Sequence, residues 1–251
     1  MSGSKTVRIV VITAVFVGIV AVFQSYVMLN VAPDPSRWAI FYAWDPSTQA
    51  LVQPLSGEGA YQSFVLKSWL DAKIPFVPIL SLPYVSFLII VPFVVPALNL
   101  IAGSMRRFLT VGLALIISQL FLNVAYWLFQ SNVPRTAELP DGFFGWTVGM
   151  VWGNDQPFNA FPSGHCTWAM IGILSLWRLR SRFPKTAWIL MPWLALVFPA
   201  TVMLQQHFLI DVYGGIFVGF ATYWGVMFAV ERPLLVPRGE SQKSHGSTPA
   251  L

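Results

Sequence analysis

Residues 108–129 read FLTVGLALIISQLFLNVAYWLF, a stretch without one Asp, Glu, Lys or Arg. Wound as a helix at 1.5 Å per residue, it reaches about 33 Å, enough to cross a hydrocarbon core of about 30 Å. Arg106 and Arg107 stand immediately before it, as basic residues do on the cytoplasmic side of a span. Outward from this segment the pattern repeats. Apolar stretches occur at Ile9–Val31, Ile74–Ile101, Phe108–Phe129, Ser163–Trp177, Thr186–Leu204 and Leu209–Val230. The fourth is short and is expected to extend to about Arg182. The first is too long for the h-region of a signal peptide and reads as an anchor helix. The second carries Pro75, Pro78, Pro83, Pro92 and Pro96, so a kink or break is expected near Pro83, or the early prolines mark a non-helical approach to the membrane.

The composition agrees with lipid as the main solvent. Hydrophobic residues are 56% of the 251, charged residues only 10%. A soluble domain carries about 25% charged residues. The net charge of +5 does not mark a nucleic-acid surface, because the basic residues sit in short clusters between spans. With an inner N-terminus, the inner side collects Lys5, Arg8, Arg106, Arg107, Arg178, Arg180, Arg182, Lys185, Arg232, Arg238 and Lys243. The outer side keeps Arg37, Lys67, Lys73 and Arg135. That bias predicts an all-α integral membrane bundle of six transmembrane helices with both termini cytoplasmic. Residues 1–236 form the expected membrane domain. Residues 237–251 read as a polar, disordered tail. The two large outer loops are 32–73 and 130–162. One cysteine, Cys166, excludes an intramolecular disulfide; it reads as a small apolar helix residue or as a thiol beside His165.

Two short segments carry chemistry. In Pro162-Ser-Gly-His165 an apolar helix begins. Ser163 suits an N-cap, and the free N–H groups and partial positive charge of a helix start favour an anion. Gly164 lets a ligand approach the backbone, and His165 stands in the first turn. The plain structural reading is a capped helix with an interfacial histidine. In His207-Phe-Leu-Ile-Asp211 the two polar residues are four apart and share a face if the segment is helical. Asp211 is the one acidic residue inside an expected span. A carboxylate there costs about 2.5–3.5 kcal/mol at the helix centre, and His207 is its nearest partner. Such a pair fixes the imidazole tautomer and activates the other nitrogen, or simply orients the helix. Topology puts His165 at the start of the fourth span and His207 in the turn between the fifth and sixth, both on the same outer face. Arg135, just outside the third span, has the fork that suits phosphate oxygens, or is an ordinary interfacial arginine. Two histidines and a carboxylate are also a zinc-ligand set, but the spacing lacks the His-Glu-x-x-His pattern. No metal and no cofactor is expected.

These residues resemble a known family, the type 2 phosphatidic acid phosphatase superfamily. Its second motif, P-S-G-H, matches Pro162 to His165. Its third ends in H-x-x-x-D, matching His207 to Asp211. Its first, K-x6-R-P, is approached only by Val133-Pro-Arg135, with Thr136 in place of proline. Ala200 and Thr201 stand where the third motif usually begins with Ser-Arg. Ala72-Lys-Ile-Pro-Phe-Val-Pro78 and Pro83-Tyr-Val-Ser86 look like the inositol phosphorylceramide synthase-like branch. The resemblance covers about residues 70–230. It implies that His207 attacks phosphorus to give a phosphohistidine, that Asp211 holds it, and that His165 is the general acid. Ser163, the Gly164 amide and Arg135 would bind the phosphoryl oxygens. The implied partner is a lipid phosphate in the membrane, with the active site on the non-cytoplasmic side. The expected activity is a lipid phosphate or diphosphate phosphatase. The alternatives are a phosphotransferase that moves a phospho-headgroup to a lipid alcohol, and a non-catalytic membrane protein that binds an anion or lipid.

Overall fold

The computed structural model describes residues 66–231, apart from 130, 134, 136, 156 and 158, together with 11, 12, 15, 18, 43–45 and 50–52. The expected first span, Ile9–Val31, and the tail 237–251 therefore lie essentially outside the described residues. Ahead of the helices, β1 (Ala43–Asp45) pairs antiparallel with β2 (Ala50–Val52), with Trp44 opposite Leu51. The remainder is helical: α1 (Ser81–Ile89), α2 (Val95–Ile101), α3 (Met105–Leu128), α4 (Phe143–Asn154), α5 (Gly164–Leu179), α6 (Pro184–Ala195), α7 (Val197–Met203) and α8 (Leu209–Glu231).

Among the described residues, four helical units are long and apolar enough to cross a membrane: Pro78–Ile101, Met105–Tyr126, Pro184–Met203 and Leu209–Glu231. Their outer faces show why water is the wrong solvent. On α3, Leu113, Ile117, Leu120, Phe121, Val124 and Leu128 are exposed, whereas Thr110, Ser118, Gln119 and Asn123 are buried. Polar side chains turn inward and apolar ones outward, which is favourable only against lipid. The inner apolar core joins Val91, Val111, Leu115, Ile171, Leu176 and Leu194 from α3, α5, α6 and the first unit.

Proline sets the breaks: residues 74–77 are a non-helical approach, as the early prolines allow, but the break expected near Pro83 is absent. Pro83 is the third residue of α1, where its missing N–H has no intrahelical acceptor to lose, so the helix passes it unbroken. The irregularity falls instead at Ile90–Val94, a single π-helical turn containing Pro92. Widening that turn moves the ring away from the carbonyl four residues back. In the fifth expected span, Pro199 cannot donate to Ala195, and the helix is interrupted at Leu196 between α6 and α7.

At the centre, α5 packs against α8, α6, α3 and α7. Its 16 residues reach only about 24 Å. The expected extension to Arg182 is a turn, with Arg182 and Phe183 both donating to the Leu179 carbonyl. The α5–α8 crossing is close because α8 presents glycine. A Cβ on Gly215 would lie 2.4 Å from the Ser163 carbonyl oxygen, and one on Gly219 2.4 Å from that of Thr167. Small residues four apart let two membrane helices approach backbone to backbone. Thr167 Oγ1 donates to the Gly215 carbonyl at 3.0 Å and locks the crossing. At the other end of this pair, Arg178 of α5 forms a two-pronged bond with Glu231 of α8, which also accepts from Thr110 of α3.

Candidate active site

The Ser163 side chain caps α5 as its position suggests: Oγ accepts from the Cys166 amide at 3.3 Å. Its own N–H donates to the backbone carbonyl of Asp211 at 2.9 Å. This bond ties the start of α5 to the first turn of α8. The hydroxyl is fully buried and points along the helix start. Gly164 lies against Tyr126 of α3; a Cβ there would be 3.3 Å from Tyr126 Oη. Tyr126 donates to the Pro162 carbonyl at 2.8 Å and takes a backbone hydrogen bond from Gly164.

His207 does not sit on a helix. It follows a Schellman turn that ends α7. The Gln206 amide donates to the Thr201 carbonyl, the Gln205 amide to that of Val202, and Gln205 takes the left-handed position with φ 54°. The His207 amide also donates to Thr201 at 3.1 Å. Thus the i,i+4 relation to Asp211 arises across the start of α8 rather than along one helix face. Asp211, fully buried, accepts from the Phe208 amide at 2.8 Å through Oδ2, half of a capping box. The same oxygen is 3.6 Å from His207 Nδ1. That is longer than a hydrogen bond, and such contacts commonly tighten when substrate binds. Asp71, from the segment before α1, accepts from the Leu209 amide at 2.8 Å and caps the start of α8.

The two histidines meet. His165 Nδ1 is 3.2 Å from His207 Nε2, with ring centroids 5.5 Å apart. His165 Nε2 is 2.7 Å from Tyr84 Oη, and Tyr84 donates to Asp155 Oδ2 at 3.0 Å. Asp155 Oδ2 itself is 3.6 Å from His165 Nε2. The His165 and Asp155 side chains keep 21% and 32% exposure, against 6% for His207. The site therefore opens on the His165 side, where α1, the C-terminal end of α4 and the start of α5 converge.

Arg135 is 1% exposed. Its Nη1 donates to the Trp152 carbonyl at 2.8 Å, and its Nη2 to the Asp155 carbonyl and to Gln206 Oε1. It braces the end of α4 against the residue before His207. Three of its five N–H groups are engaged in this way, and Nε has no partner among the described residues. Burial lowers the guanidinium to about 10, opposed by the neighbouring Asp155, so it remains cationic at neutral pH.

The structure thus gathers His165, His207, Asp211 and Ser163, and sets Arg135 behind them. Sequence reasoning missed Tyr84, Asp155 and Gln206. Asp155 directly follows a twelve-residue apolar helix, and an acid that closes such a helix is the signal that was present. Tyr84 carried none beyond its place in an apolar span. Neither curated proteins nor solved structures yield a match. The family model described as the PAP2 superfamily matches residues 59–225, and with two-thirds of its length covered the chain belongs to that superfamily.

Proposed function

We propose that the chain is a membrane lipid phosphate or diphosphate phosphatase that works through a phosphohistidine on its non-cytoplasmic face. Membership of the superfamily supports an enzyme of phosphatase or phosphotransferase type on lipids, in an integral membrane protein with four apolar helices of spanning length among the described residues. The observation that carries the finer reading is the contact of His207 Nε2 with His165 Nδ1 at 3.2 Å, with Asp211 on the far side of His207. A phosphoryl group entering between the rings meets a nucleophile held by a carboxylate and, opposite it, a proton donor. His207 attacks phosphorus, His165 protonates the leaving oxygen, and Asp211 holds the imidazolium character that develops on His207. The positive end of α5, starting at Ser163 and Gly164, faces the phosphoryl oxygens. Arg135 contributes charge and its Nε–H. No metal enters these steps.

The sidedness rests on charge bias: six spans with both termini cytoplasmic put the His165 end of the bundle outside. A second reading is favoured by the charge at the site. The site holds two carboxylates, Asp155 and Asp211, and one arginine already bonded to protein acceptors. A phosphodiester brings one negative charge and a monoester up to two. Transfer of a phospho-headgroup to a lipid alcohol, as in the inositol phosphorylceramide synthase-like branch, suits that balance.

The test uses purified full-length protein with vesicles of phosphatidic acid, a polyprenyl diphosphate, or phosphatidylinositol plus diacylglycerol. Phosphate release from either of the first two supports the phosphatase; exchange of the inositol phosphate supports the transferase. Wild type and His207→Ala that are equally inactive on all three would leave the non-catalytic binding reading.

A further inference from the structure

The protons around the two imidazoles can be counted. Tyr84 Oη has one proton and two close partners, Asp155 Oδ2 at 3.0 Å and His165 Nε2 at 2.7 Å. An ionised carboxylate only accepts. The hydroxyl proton therefore goes to Asp155, and the phenolic oxygen accepts from His165 Nε2–H. At the other end, Asp211 Oδ2 faces His207 Nδ1 at 3.6 Å and favours a proton on that nitrogen. Each imidazole then turns its unprotonated nitrogen toward the other, 3.2 Å apart. Two lone pairs at that separation repel; one proton between them makes a hydrogen bond. Tyr84 and two neutral imidazoles supply three protons for four contacts.

We propose that Tyr84 and Asp155 form a positioning relay that fixes His165 as the Nε2–H tautomer, and that the site stores one further proton between His165 Nδ1 and His207 Nε2. This inference rests on the phosphoryl-transfer reading above and names the proton that reading requires. The charge of the site agrees with it. Asp155 approaches from the end of α4 and Asp211 from α8; Arg135 braces Asp155 through its carbonyl. Two carboxylates, one guanidinium and one stored proton sum to zero, the state in which buried ionised groups are tolerated best. The other titratable neighbours are committed elsewhere: Tyr126 of α3 to the Pro162 carbonyl, Cys166 of α5 toward Thr201 Oγ1, and Asp71 to the Leu209 and Ser68 amides.

The stored proton balances the reaction. The His207 Nε2 lone pair forms the N–P bond, the P–O bond to the leaving group breaks, and the shared proton leaves on that oxygen. His165 Nδ1, now bare, takes a proton from the acceptor hydroxyl or water as its oxygen attacks phosphorus. The N–P bond then breaks and its electron pair returns to His207.

The chain has three histidines, the third being His245 in the tail, so imidazole nitrogen resonances of the full-length protein in lipid nanodiscs form a simple spectrum. His165 is expected to carry its proton on Nε2, and one further proton is expected to be shared between His165 Nδ1 and His207 Nε2, seen as a coupling across that hydrogen bond. Tyr84→Phe and Asp155→Asn each remove a contact that holds the His165 tautomer. Each is expected to abolish the shared-proton signal and to lower turnover of phosphatidic acid or phosphatidylinositol by about tenfold. Tyr84→Phe keeps the ring, and Asp155→Asn keeps the shape, so either variant suffices if the other misfolds. A wild type with no shared proton, or a shared proton that both variants leave unchanged, would overturn the relay. A shared proton that is lost in the variants, in a wild type inactive on every lipid, would support the relay and overturn the phosphoryl-transfer reading instead.

Discussion

Gly215→Ala is the substitution that most directly couples packing to chemistry. Its Cβ would stand 2.4 Å from the Ser163 carbonyl oxygen and 2.9 Å from Cys166 Cβ. Ordinary contact begins near 3.4 Å, so relief requires the two helices to part by roughly 1 Å, and the opposing atom is backbone rather than a side chain that can rotate. Ser163 is also the residue whose N–H holds the Asp211 carbonyl at 2.9 Å. Parting α5 from α8 therefore separates His165 from His207 and strains the Thr167–Gly215 bond. Overpacking of this kind destabilises by about 1–3 kcal/mol. A misplacement of about 1 Å at reacting groups lowers turnover by about 10²-fold. Both effects are expected together, read as a lower melting temperature in detergent and a lower kcat on the best lipid substrate. Gly225→Ala is the control on the same helix, since its Cβ would meet nothing within 4 Å and alanine favours the helix by about 1 kcal/mol. Wild-type melting and turnover in Gly215→Ala, or equal damage from Gly225→Ala, would refute the argument.

Arg135→Ala is expected to lower turnover at least tenfold (roughly 1.4 kcal/mol of transition-state stabilisation) and to loosen the end of α4, because it removes the brace to Trp152, Asp155 and Gln206; Arg135→Lys is expected to rescue little, since one ammonium cannot span that fork. Glu231→Gln weakens the clasp to Arg178 and Thr110 at the far end of the bundle. It is expected to lower stability by about 1–3 kcal/mol while leaving kcat at low temperature unchanged. Asp141→Cys places a thiol on an exposed position at the start of the loop helix, and the native Cys166 is buried; an impermeant thiol reagent is expected to label intact cells, and labelling only after permeabilisation would reverse the orientation.

The parts of the fold legible in the sequence are those governed by one strong effect. Apolar length alone marks Phe108–Phe129 and Leu209–Val230, and α3 and α8 follow within three residues at every end. The helix start at Ser163 was legible because an N-cap is a local event. Proline effects were less so. Whether Pro83 or Pro92 disturbs the helix depends on where the first turn falls, and that depends on the 3₁₀ turn Pro78–Leu80 before it. That His207 lies in the turn between the fifth and sixth spans is legible from topology, but the form of that turn is not. The Schellman turn that holds it uses Gln205 at positive φ, and glutamine is no signal for that conformation. Tyr84 and Asp155 lie 71 residues apart and meet His165 only through the packing of α1 and α4. Nothing local in either segment records such a contact.

The central claim is that His207 carries the transferred group. Full-length protein mixed with a lipid labelled at the reacting phosphorus, quenched in base within one turnover and digested, should yield one labelled peptide with the label on His207. His207→Ala should yield none. Phosphate release or headgroup transfer at the wild-type rate with no label on His207, or label on another residue, would contradict the account.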